Sequence, residues 1–105
     1  MAKYLLVYHG GGMPEGEEAQ AKVMAAWGAW FQTLGSALAD GGNPVSQART
    51  IAAGGAVSDG GGANPASGYS LIEADSIDAA VALAKGCPVL EGGATIEVAE
   101  TFNAM

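Results

Sequence analysis

His9 is the only imidazole in the chain, and so the one side chain whose ordinary titration falls near neutral pH. It stands at the end of an apolar run and is followed by Gly10-Gly11-Gly12. That setting suits a general acid or base if a carboxylate orients the ring. Asp40 and Asp59 are the candidate carboxylates, each beside a glycine-rich turn. The structural alternatives are strong. Asp is a preferred turn residue because its side chain satisfies nearby backbone, and a histidine at a strand end readily bonds backbone or water. The ligand-facing candidates are Tyr8, on the strand face opposite His9, Trp30, and Arg49, the sole arginine, which has the fork geometry to clamp a carboxylate. Against these roles stand core or interface packing for the aromatics and a surface ion pair for Arg49.

Other chemistries lack their parts. With one cysteine, Cys87, and one histidine, neither an internal disulfide nor a zinc framework can be assembled. The nitrogen-rich site of a metal-dependent monooxygenase-like barrel is out of reach for the same reason. Cys87 follows a helix stop in apolar surroundings and is expected to be a buried, inert thiol. Gly10–Gly12 and Gly60–Gly62 lack the P-loop spacing and the Lys-Ser/Thr that follows it, and Glu15, Glu17 and Glu18 place negative charge after the first run. No nucleophile elbow is present. No cofactor and no metal are expected.

The whole chain, residues 1–105, reads as a single domain. Half its residues are hydrophobic and 14% are charged, the opposite of a disordered composition. Four basic residues against eleven acidic ones leave a net charge of −7, which opposes binding to a phosphate backbone, so no nucleic-acid partner is expected. The apolar stretch after Lys3 is too short for a signal-peptide core or a membrane span. A cytoplasmic protein without membrane attachment is the expectation.

The elements that must carry these residues follow from periodicity. Lys3–His9 reads as a strand apolar on both faces, with Tyr4, Leu6 and Tyr8 on one side and Leu5, Val7 and His9 on the other. Glu17–Leu38 reads as a long helix with a stripe of Val23, Trp27, Phe31, Leu34 and Leu38, widened by Met24 and Trp30. Gly28 and Gly35 inside it suggest a close neighbouring backbone or a weakened helix. Asp40–Pro44 is a turn, and 47–58 is a hairpin about Gly54-Gly55. Tyr69–Ala74 is the next strand. Asp75 and Ser76 are both N-cap types, with Asp78 in reach of a capping box to Asp75, and Gly86 and Pro88 end the helix that follows. Ala94–Phe102 alternates as a half-exposed strand. The order predicts an α+β fold, a ferredoxin-like βαββαβ with an extra hairpin, in which two helices cover one face of an antiparallel sheet. The other face has no helix, which predicts burial against a second copy, a homodimer through the uncovered sheet face.

KYLLVYHG at the start, VSDGG at 57–61, GYSLIEADSIDAAVALAKGCP at 68–88 and GGATIEV at 92–98 resemble the YCII-related family in its DGPF-domain branch. The resemblance spans nearly the whole chain. It implies a ferredoxin-like monomer that pairs into a dimeric α/β barrel with a cleft between sheet and loops. Two departures touch function. The Asp-Gly-Pro-Phe signature begins here as Asp59-Gly60 but continues with Gly61 and Gly62, and the first helix has no histidine to supply the acid/base dyad of some relatives. The expectation is therefore a dimeric module that binds a small organic ligand or a partner. The alternative is a cofactor-free lyase or isomerase acting on a small organic acid, with His9 moving a proton and Asp40 or Asp59 orienting it.

Overall fold

The first strand, β1 (Ala2–His9), organises the molecule because both its edges are paired. Its tyrosines, leucines and valine suit a pleated surface. The computed structural model describes residues 2–12 and 14–104. The chain continues through α1 (Glu17–Leu34), β2 (Leu38–Asp40), β3 (Arg49–Ile51), β4 (Val57–Asp59), β5 (Ala66–Ala74), α2 (Ile77–Ala84) and β6 (Thr95–Glu100). The fold is α+β. Four strands form an antiparallel sheet in the order β2-β5-β1-β6, and β3 and β4 form a separate two-stranded ribbon.

Alternation along β1 decides the layers. Tyr4, Leu6 and Tyr8 are buried, and they pack with Ile72 of β5, Trp30 and Leu34 of α1, and Ala80 and Ala84 of α2 in one core cluster. Both helices therefore lie on the same face, as expected. On the opposite face Leu5, Val7, Tyr69, Leu71 and Ala99 are half-buried, and neither described helix belongs to that side. Register puts Leu5 between Leu71 and Ala99, and Val7 between Tyr69 and Glu97. An apolar centre results, bounded by Lys3 opposite Glu73 at one end and by His9 and Glu97 at the other.

Four expectations about elements need correction. The long helix stops at Leu34 rather than Leu38, because Gly35 takes a positive φ of 54° and turns the chain. Leu38 then belongs to a short edge strand, β2, which pairs with β5 through an irregular register at Ala39. The hairpin is not part of the main sheet at all: it extends from it as an arm. Within α1 the inward stripe is Ala19, Val23, Ala26, Trp27, Trp30, Phe31 and Leu34, with Trp30 deeply buried and Met24 left 62% exposed. Gly28 faces open space, so no neighbouring backbone explains it. The α2 cap is Ser76, whose Oγ accepts from the Ala79 N–H at 3.1 Å, rather than an Asp75–Asp78 box.

Candidate functional site

A cleft of about 860 Å³ opens between α1 and the helix-covered side of the sheet, within the range that holds small organic ligands. Tyr8 forms its floor, Trp27 and Phe31 its wall, and Val23, Met24 and Val89 further apolar sides. Trp27 centres the wall, edge-to-face with Tyr8 and with Trp30 at 5.6 Å each and tilted against Phe31 at 5.7 Å, centroid to centroid. Backbone makes the rim, at Gly10–Gly12, Gly41–Asn43, Gly68 and Gly92. Charge is confined to Lys22 and Glu91.

Local sequence explains this shape. Residues 41–44 must run against β5 to frame the mouth. Gly42 does so at φ 72°, where a Cβ would fall 1.7 Å from the Tyr69 carbonyl oxygen. Asp40 supports the same bend, its Oδ1 accepting from the Gly42 N–H at 2.9 Å. Below the floor lies a closed polar chain. The Tyr8 hydroxyl donates to Ser70 Oγ at 2.7 Å, and Ser70 Oγ donates to the Gly41 carbonyl at 2.8 Å. Burial pushes the Tyr8 hydroxyl well above the usual tyrosine range, with the Ser70 bond pulling weakly the other way. Burial likewise raises the Cys87 thiol, against the opposing pull of the Val89 backbone and the Tyr8 hydroxyl. Both groups stay protonated through the physiological range, so neither offers a phenolate or thiolate there as base or nucleophile.

The acid/base candidates do not meet. His9, Asp40 and Asp59 all lie outside the cleft. His9 is on the bare sheet face, with Nδ1 2.9 Å from the Asn64 carbonyl and Nε2 3.2 Å from Glu97 Oε1. Both ring nitrogens are thus engaged by partners on the side of the sheet away from the cleft. Asp59 is exposed on the arm, where Oδ1 meets Arg49 Nε at 3.2 Å. Asp40 caps its own turn, as described above.

The ligand-facing candidates divide as well. Tyr8 lines the cleft, but Trp30 and Arg49 do not. Trp30 joins the helices instead, its Nε1–H donating to the Leu83 carbonyl at 3.1 Å, and it borders a shallower hollow of about 530 Å³ with Cys87. Arg49 is spent on Asp59 and the Ala48 carbonyl. By period Trp27, Phe31 and Val23 belong to the core stripe, and the two aromatics could by type equally line a pocket; the structure puts all three on the cleft. The available signal was the glycine pairs Gly11-Gly12 and Gly41-Gly42, which mark loops without side chains beside that stripe. Among the described residues no group of three His, Cys, Asp or Glu side chains could hold a metal ion, and no described helix is long and apolar enough to cross a membrane. No protein-family model matches the chain, and no curated protein matches it.

Proposed function

We propose that the chain is a homodimeric, ferredoxin-like binding module of the YCII-related kind that takes a small, largely apolar organic ligand into the cleft beneath α1. The cleft itself carries the reading. It combines an aromatic wall with a backbone rim, and it contains no convergent titratable groups. Apolar lining rewards an apolar ligand body by roughly 25 cal/mol per Å² removed from water. An interior without charge penalises a buried ionic group, so the polar end of the ligand sits at the mouth, near Lys22 and Glu91. The strand order β2-β5-β1-β6, with α1 and α2 on one face, supports the ferredoxin-like part of the proposal. The apolar, helix-free face supports pairing with a second copy. The acid/base reading lacks such support, since His9 is engaged on the far side of the sheet.

Tryptophan fluorescence tests the ligand site. Titration with anilinonaphthalene sulfonate, then displacement by a panel of neutral and monoanionic aromatic compounds, should give saturable binding. Val23→Arg, which puts a charged chain across the cleft from an already half-exposed position, should weaken it at least tenfold while His9→Ala leaves it unchanged. Absence of saturable binding, or equal binding by Val23→Arg, would discard the cleft as a ligand site.

A further inference from the structure

Residues 43–66 are exposed at every position, yet they hold a regular hairpin. Thr50 pairs with Ser58 and Ile51 with Val57, and the turn closes with Ala52 N–H donating to the Ala56 carbonyl at 2.7 Å. A two-stranded ribbon alone in water is marginal at best. Ile51 and Val57 stand directly opposite each other, so they share one face of the ribbon, and they are 70% and 64% exposed. No described residue of the same chain covers them.

The size of the molecule makes the same point. Its radius of gyration is 15.1 Å, against about 13 Å for a compact domain of this length. Its accessible surface is 7001 Å², whereas a compact monomer of 10.4 kDa exposes about 5,400 Å². The excess per chain is about twice the roughly 800 Å² that each partner gives to a standard protein–protein interface. The smallest dimension is 18 Å, room for one sheet and one helical layer and no third layer.

Three observations identify what covers the arm. Its returning limb passes the end of β1, where the Asn64 carbonyl lies 2.9 Å from His9 Nδ1, so it leaves the body on the side where a twin would sit. Between residues 43 and 66 the only charges are Arg49 and Asp59, which cancel and pair, while the body carries the whole net charge of −7. A neutral arm can therefore lie against a second acidic body without adding repulsion. Each copy also has one arm and one bare face, so a two-fold pair satisfies both arms and both faces.

We propose that the hairpin Arg49–Asp59 is a reciprocal clasp, which lies across a second copy of this chain and buries Ile51 and Val57 against it. The proposal rests on the homodimer reading above, and the test separates the two. Sedimentation velocity over a dilution series gives the dimer Kd. Hydrogen exchange reports on the arm amides. Ile51→Thr with Val57→Thr keeps β-branched residues in the ribbon while removing apolar surface. Ile51→Lys with Val57→Glu keeps a favourable cross-strand pair. Leu71→Lys charges the bare face alone.

The clasp requires arm amides that are protected in the dimer and lose protection on dilution below Kd. Both double variants should raise Kd at least tenfold with unchanged helical circular dichroism. Loss of dimer in the arm variants but not in Leu71→Lys would keep the clasp and discard sheet-face pairing. A dimer whose Kd moves less than threefold in both arm variants, or whose arm amides exchange at free-chain rates, would overturn the clasp and leave sheet-face pairing standing. A wild-type chain that stays monomeric at every concentration would overturn both.

Discussion

Tyr8 does two jobs with opposite requirements. Its ring forms the cleft floor, while its hydroxyl is sealed into the chain through Ser70 to the Gly41 carbonyl. Ser70 is fully buried and fully partnered, so Ser70→Ala would strand both the Tyr8 hydroxyl and the Gly41 carbonyl. The expected cost is about 1–3 kcal/mol in urea unfolding. The raised Tyr8 and Cys87 ionisations give a signed pH dependence. In the folded chain both groups hold their protons more tightly than in the unfolded chain, whose values are 9.0 for the thiol and 10.0 for the phenol. Stability is therefore unaffected by them below about pH 9, then falls as pH climbs above those unfolded values. Tyr8→Phe should flatten that alkaline decline in a series of denaturation midpoints, and wild-type Cys87 should resist alkylation until the protein unfolds.

Among the elements, α1 and α2 are joined by a single directed bond as well as by packing. Trp30 is 5% exposed and donates to Leu83, whereas Trp27 is half-buried at the cleft wall. Trp30→Ala should therefore cost about 3–5 kcal/mol in thermal or chemical unfolding, and Trp27→Ala less, with the larger loss of the two in ligand binding. Ser76→Ala removes the α2 cap and should cost about 1 kcal/mol. Gly42→Ala meets both a left-handed φ and the Tyr69 carbonyl, so it should destabilise by more than ~1 kcal/mol and deform the mouth of the cleft. These boundaries were only partly legible beforehand. The period of α1 was clear, but its end depended on Gly35 adopting φ 54°, and a glycine inside an apolar stripe does not announce its dihedral angle. β2 was invisible because three residues carry too little alternation to read, and its pairing with β5 is non-local.

For the molecule as a whole, two unmet surfaces stand out: the face centred on Leu5, Val7, Tyr69 and Leu71, and the arm. An apolar centre with charges at its edges is the usual anatomy of a protein–protein contact. Under the proposed pairing, Leu71→Lys reduces dimer affinity by an order of magnitude or more while leaving the helix-side core untouched, as read by sedimentation and by an unchanged unfolding slope in urea. The sheet also explains why sequence reasoning could propose a catalytic trio that the fold separates. His9, Asp40 and Asp59 all adjoin glycine-rich turns, but parity along β1 sends His9 away from the helices, β2 turns Asp40 onto its own backbone, and the arm carries Asp59 outward to Arg49.

Local pattern was sufficient for the class of fold, the two helices and both faces of β1, because each depends on side-chain period over a few residues; Cys87 is buried as expected, but by Tyr8 and Trp30 from far along the chain. Tertiary structure alone decided that Trp27 and Phe31 border a cleft, that Trp30 does not, and that His9 answers to Asn64 and Glu97. The partners of Trp30 and His9 are 53 to 88 residues distant, and which loop meets which strand is settled by the packing of the complete chain.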